Sequence, residues 1–459
     1  MSENSNYYVE TPCGPVRGIP GKENGTAVYR GIRYAVADRF EYPKQVTHWG
    51  GTYQADSWGN CSYQPRSFYN EADMPEKAFY YNEFRKGEAY TYSEDCLFLN
   101  IWTPKEPVNA PVLFYIHGGG FKGGCGHEKH FDGTAYNRQG IIVVTINYRL
   151  GPLGFCSLPE IKEKYGHSGN FALYDQLTAL KWVRDNIRAF GGDPDKITIM
   201  GQSAGAISVQ QLCLSPLTAG MFSGAVMCSG GGVGREFGET VKAEETYDFW
   251  QQLRKRTGVK NLKEFSAVSP EKLLTEFQQL TKEYKNSMRC CGPVRDGVLL
   301  KESGVQLAKA GKQQPVYYLT GSTSEDIIPP IVHKMAKSWS RLQSDKGKKT
   351  SYTFFFDRQL PGDDCGAWHS SDLWYEFGTL SNGWRPFTKW DYELSDRMVR
   401  YFSNFIKTGN PNGEGLTEWL PMEKGQNKVM RFGNKDNHMG GVSVAKLKHT
   451  MMTKTAVGE

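Results

Sequence analysis

A chain of 459 residues can bury a large core, and Lys+Arg 55 against Asp+Glu 49 leaves a net charge of only +6. Basic residues are scattered, the densest cluster being Lys346-Gly347-Lys348-Lys349, which argues against nucleic acid as a partner. No apolar run reaches the roughly 18 residues of a membrane span, so none is expected.

The start Met1-Ser2-Glu3-Asn4-Ser5-Asn6 is polar and shows no signal peptide. The expected location is therefore the cytoplasm, or outside the cell if a leader was removed. Ten cysteines, none in a CxxC pair, read as mostly free, buried thiols.

In chain order, Pro111-Val112-Leu113-Phe114-Tyr115-Ile116 is a continuous apolar run and predicts a strand covered on both faces. His117-Gly118-Gly119-Gly120-Phe121 follows directly, and its glycines let backbone N–H groups approach a substrate oxygen unobstructed. His117 sits on the strand end that aims this loop, so it reads as structural. A second strand is expected over 141–146. Then Leu173, Leu177, Leu180, Val183 and Ile187 form one apolar stripe, predicting a helix that stops at Phe190-Gly191-Gly192-Asp193-Pro194.

Ile197-Thr198-Ile199-Met200 reads as the next buried strand. It runs into Gly201-Gln202-Ser203-Ala204-Gly205, a serine between glycines at a strand-to-helix junction. Further strands are expected over 224–227, 316–319 and 352–356. Residues 240–312 read as mainly helical, and 392–407 as an amphipathic helix. Strands alternating with helices predict a doubly wound, mostly parallel α/β sheet. No repeat, low-complexity segment or linker divides 1–459, so a single domain is expected.

A serine hydroxyl needs a base, the base needs an orienting carboxylate, and a tetrahedral oxyanion needs donors. The donors indicated are the N–H groups of Gly119, Gly120 and Ala204. With the acid and base following the nucleophile in sequence, the histidines that remain are His333, His369, His438 and His449. His369 lies shortly after the strand 352–356. The acid belongs after the strand 316–319, in Gly321-Ser322-Thr323-Ser324-Glu325-Asp326-Ile327, where Glu325 and Asp326 compete.

These segments together resemble the type-B carboxylesterase family, the cholinesterase-like lipase branch of the α/β-hydrolases. The likeness extends to Gly14-Pro15-Val16-Arg17-Gly18, Tyr29-Arg30-Gly31-Ile32-Arg33-Tyr34-Ala35, Ser93-Glu94-Asp95-Cys96-Leu97-Phe98-Leu99-Asn100-Ile101 and Asn147-Tyr148-Arg149-Leu150-Gly151-Pro152-Leu153-Gly154-Phe155. The resemblance implies an α/β-hydrolase fold, no cofactor, and hydrolysis of a small-molecule ester through an acyl-enzyme. It implies Ser203 as nucleophile, His369 as base and Asp326 as acid, with Glu325 the alternative. Phe121, Gln202, Gly231 and Gly232 are implied to border the substrate. Cys61 and Cys96 match a disulfide pair of secreted relatives.

Departures from the family pattern matter too. The stretch from Asp326 to His369 is short, which implies a shortened cap built of helical insertions. No Trp occurs from Ser62 to Asp95, and Gln202 replaces an acidic residue, so choline esters are not the expected substrate. Small to medium or aryl esters are expected. The alternatives are amide, lactone or lactam hydrolysis on the same residues, or a non-catalytic binding role. Monomer or weak homo-oligomer is the expected state. Cys125, His127 and His130, with Asp132, do not match a zinc signature, and His127-Glu128-Lys129-His130 is only H-E-x-H, so no metal is expected.

Overall fold

The structure, a computed structural model, describes residues 7–234, 239–345 and 349–453. Met1–Asn6 and most of the Lys346–Lys349 cluster lie outside the described residues.

An 11-stranded sheet organises the molecule. In chain order its strands are β1 (Ile19–Pro20), β2 (Ala27–Arg33), β3 (Phe98–Thr103), β4 (Ala110–Ile116), β5 (Ile142–Ile146), β6 (Gly192–Gln202), β7 (Gly224–Cys228), β8 (Tyr317–Thr323), β9 (Ser351–Phe356), β10 (Val429–Phe432) and β11 (Asn437–Gly440). Their spatial order is β11-β10-β9-β8-β7-β6-β4-β5-β3-β2-β1. From β5 to β10 every neighbour runs parallel. The two ends are antiparallel, β1 to β3 on one side and β11 on the other.

Alternation along the strands divides the core in two. Val112, Phe114 and Ile116 of β4 join Ile197 and Ile199 on one face. Leu113 and Tyr115 join Met200 and Val226 on the other. The first face is covered by α1 (Phe171–Asn186) and α2 (Ala204–Leu214), through Leu180, Val183, Val209 and Leu212. Each such side chain, fully buried, contributes about 1.5–3 kcal/mol.

Between β7 and β8 lies a largely helical insertion with α3 (Tyr247–Arg256) and α4 (Pro270–Glu283). A two-residue parallel pair, Val241–Lys242 against Val294–Arg295, interrupts the expected helical stretch. After β8 comes α5 (Pro329–Asp345), whose Trp339 packs on the first face. The second face is covered by α6 (Lys389–Thr408), with Leu394, Met398, Phe402 and Phe405 inward. A capping box between Thr388 and Asp391 starts α6, and left-handed Gly409 (φ 79) ends it.

The parallel strands all end on one edge, and the loops leaving β4, β6, β8 and β9 there hold the candidate site residues. This is the doubly wound, mostly parallel sheet of an α/β-hydrolase. No described helix is long and apolar enough to cross a membrane.

Candidate active site

Ser203 occupies the turn between β6 and α2 with φ 56 and ψ −124, backbone that a non-glycine residue rarely adopts. Its N–H donates to the Cys228 carbonyl at 2.9 Å, which locks the turn to β7. Both flanks must be glycine for steric reasons. A Cβ on Gly201 would lie 2.4 Å from the Gly205 backbone, and one on Gly205 would lie 2.1 Å from the Ile116 carbonyl oxygen. The small residues therefore let β6 turn into α2 while the helix start presses against the end of β4.

The glycine loop after β4 comes down beside this turn. A Cβ on Gly118 would lie 3.1 Å from the Ser203 Cβ. Gly119 and Gly120 take left-handed φ values of 105 and 60, and the Gly119 carbonyl accepts the N–H groups of Lys122 and Gly123 at 3.0 Å each. His117 is buried, stacks on Tyr148 at 4.4 Å and lies 2.8 Å from the Gly118 carbonyl through Nδ1. Burial pushes its imidazole below the ordinary value, so it stays neutral and structural.

Of the four downstream histidines, the structure brings His369 to Ser203. His369 Nε2 lies 2.8 Å from Ser203 Oγ, and its Nδ1 lies 2.6 Å from Asp326 Oδ1. Asp326 also accepts the Thr323 N–H at 3.1 Å and the Ile327 N–H at 3.0 Å. Burial alone would raise this carboxyl. Its electrostatic and hydrogen-bonding interaction with the His369 ring outweighs burial, and the group sits below the usual carboxylate value. His333 is buried against Ser322, while His438 and His449 are exposed.

Glu325 turns the other way. It accepts the Ala367 N–H at 2.8 Å and forms a bridge with Trp368, tying the β8 loop to the segment that carries His369. That segment is braced from outside by the short helix Ala78–Phe84. Phe79, Tyr80 and Phe84 pack on Trp368 at 5.0, 5.7 and 5.6 Å, and the Tyr80 hydroxyl donates to the His369 carbonyl at 3.4 Å. Neither tie was read from the sequence, although the aromatic run Phe79, Tyr80, Tyr81 and Phe84 was a visible signal.

The residues expected to border substrate are spread around Ser203. Gln202 is buried, with its side-chain amide 3.3 Å from His369 Nε2, so it faces the imidazole. Phe121 packs on Phe155 at 5.0 Å, and Gly151, which heads the short helix Gly151–Phe155, faces Leu274 and Phe277 of α4. In the loop after β7, Gly230 crowds the Ser203 carbonyl. Gly231 lies against α2, and Gly232 against the Met335 backbone of α5.

One expectation differs from what is seen. Cys61 and Cys96 are both free thiols with different surroundings: Cys61 Sγ faces His127 Nε2 at 3.6 Å, so the implied disulfide is not formed. The group Cys125, His127, His130 and Asp132 comes apart. His130 is wedged between the Phe84 and Phe131 rings at 4.0 and 3.8 Å, and Asp132 pairs with Lys22 at 2.9 Å. Cys61, brought in from a distant segment, joins Cys125 and His127 instead.

The sequence model of the Carboxylesterase family matches residues 5–340 and 330–453. The chain belongs to this family. It is 36% identical over 472 residues to the para-nitrobenzyl esterase of Bacillus subtilis (strain 168), covering 90% of this chain and 92% of that one. Against the fumonisin B1 esterase of Sphingopyxis macrogoltabida it is 32% identical over 325 residues, 69% of this chain and 55% of that one. A solved PNB esterase superposes with a TM-score of 0.84 at 26% identity, over 97% of this chain and 99% of its own. The reaction class of this carboxylesterase is carboxylic ester hydrolysis.

Proposed function

We propose that this carboxylesterase hydrolyses small to medium or aryl esters, with Ser203 as nucleophile, His369 as base and Asp326 as its orienting acid. The observation that carries the reading is the unbroken chain from Ser203 Oγ through the His369 ring to Asp326, at 2.8 and 2.6 Å. In the neutral ring Nδ1–H donates to Asp326, which leaves Nε2 to accept the Ser203 hydroxyl. As Oγ attacks the ester carbonyl, His369 takes its proton. The oxyanion forms beside the N–H groups of Gly119, Gly120 and Ala204, each worth on the order of a hundredfold in rate. Collapse breaks the ester C–O bond, and the alcohol leaves with the proton from His369. Water then repeats the attack and frees the acid.

Gln202 puts a neutral amide rather than a carboxylate beside His369, which supports a neutral alcohol over a cationic one. The name of the para-nitrobenzyl esterase points the same way. We read 1–459 as one domain, supported by a sheet whose strands run from Ile19 to Gly440. Ten free thiols suit a reducing compartment.

The test is a panel of p-nitrophenyl acetate, butyrate and decanoate, p-nitrobenzyl acetate, acetylthiocholine and a matched anilide. Short-chain aryl and benzyl esters are expected to turn over fastest. Faster cleavage of the choline ester or the anilide would overturn the substrate assignment.

A further inference from the structure

Cys61, Cys125 and His127 offer two sulfurs and one nitrogen that all lie within 4.8 Å of one another. Cys61 Sγ and His127 Nε2 are 3.6 Å apart. Tetrahedral zinc, with bonds of about 2.3 Å to sulfur and about 2.0 Å to nitrogen, sets its ligand atoms roughly 3.5–3.8 Å apart, so little movement is needed to close on an ion.

The surroundings fit a bound cation. Cys61 and Cys125 are 0% and 1% exposed, which shields the sulfurs, while His127 at 8% lies on the wall of a cavity of about 460 Å³ shared with Trp58, Glu128 and Asp132. The His127 ring is held by packing: Trp58 stacks on it at 5.2 Å with an interplanar angle of 8°, and Tyr90 lies at 5.6 Å. Among the described residues its buried Nδ1 has no hydrogen-bond partner. No competing bond therefore fixes the ring in an orientation that would turn Nε2 away from the sulfurs. The neighbouring carboxylate is committed elsewhere, since Glu128 pairs with Arg66 at 2.9 Å and Arg85 at 3.7 Å.

We propose that Cys61, Cys125 and His127 form a binding site for a thiophilic cation of the zinc class. Two thiolates and an imidazole select such an ion over hard cations, which prefer oxygen. Three protein ligands leave a fourth position for water or a further ligand, and a chelator is expected to remove the ion. Binding sends the two thiol protons to solvent. The ion would also tie two segments together. Cys125 ends the glycine loop, where Gly124 and Gln64 already exchange hydrogen bonds at 2.9 and 3.1 Å, and Cys61 sits just before Gln64. Loading would brace the stem of the loop that carries Gly119 and Gly120.

The test titrates the full-length protein, reduced and then stripped with a chelator, with Zn²⁺ against a chromophoric competitor. Co²⁺ serves as a spectroscopic probe of thiolate ligation. One ion per chain, a thiolate-to-cobalt charge-transfer band and a higher melting temperature with Zn²⁺ are expected. Cys61→Ser, Cys125→Ala and His127→Gln, each checked for folding by circular dichroism, should weaken uptake about a hundredfold or more. Cys365→Ser, at a thiol outside the cluster, should leave uptake unchanged. Failure of the reduced wild-type protein to take up Zn²⁺ would overturn the proposal. So would uptake that survives both Cys61→Ser and Cys125→Ala.

Discussion

The Gln202 side-chain amide and the Ser203 hydroxyl converge on one atom, His369 Nε2, at 3.3 and 2.8 Å. Both can donate to its lone pair, so Gln202 is placed to act on the imidazole proposed as the base. Gln202→Glu would place a carboxylate beside the imidazole and favour its protonated form. The variant should then lose kcat/KM more at acid than at alkaline pH. A profile that keeps its acid limb would show that Gln202 does not act on the ring.

Asp326 and Glu325 are neighbours with different contacts. Asp326→Asn should lower kcat on the order of ten-thousand-fold, because the amide no longer fixes the tautomer that leaves Nε2 free to accept. Glu325→Gln removes charge from the contact with the Ala367 N–H, and a loss of about tenfold or less is expected. Steady-state kinetics on p-nitrophenyl butyrate ranks them, and the reverse order would exchange their roles.

The glycine loop gives a paired prediction. A Cβ at 119 would lie 2.1 Å from the Gly123 carbonyl oxygen, whereas one at 120 meets open space. Gly119→Ala should therefore displace the loop and lower kcat about a hundredfold. Gly120→Ala, strained only by its left-handed φ, should cost less. Equal losses would mean that the loop moves as a unit.

Asp372 is buried, and burial together with the charge of Asp326 pushes its carboxyl up to about 7. The folded state then holds a proton that the unfolded state has lost above about pH 4. Stability contributed by this group falls as pH rises from about 4 to 7 and stays low beyond. Asp372→Asn should flatten that slope and stabilise the protein at pH 8, as read from urea unfolding across pH. An unchanged slope would contradict this assignment of the proton.

The central parallel strands were legible because β4 to β7 are continuous apolar runs. The stripe from Leu173 to Ile187 and the amphipathic pattern of 392–407 marked α1 and α6 for the same kind of reason. Strand β3 was not marked as a strand, since buried Asn100 breaks its run. Its side chain accepts the Gly31 N–H and donates to Thr145 Oγ1, a tertiary arrangement that no local pattern announces. The edge strand β11, Asn437–Gly440, is polar and is held by its register with β10. Within the site, residue types and order pointed to Ser203 and His369, but side-chain direction separates Asp326 from Glu325. The meeting of Cys61 with Cys125 and His127 depends wholly on how distant segments pack.

The most direct test of the account is Ser203→Ala, assayed on p-nitrophenyl butyrate beside the wild type, with circular dichroism to show that both are folded. A folded variant with kcat reduced about ten-thousand-fold or more is the predicted result. A folded variant that retains wild-type turnover would contradict Ser203 as nucleophile, and with it the proposed triad.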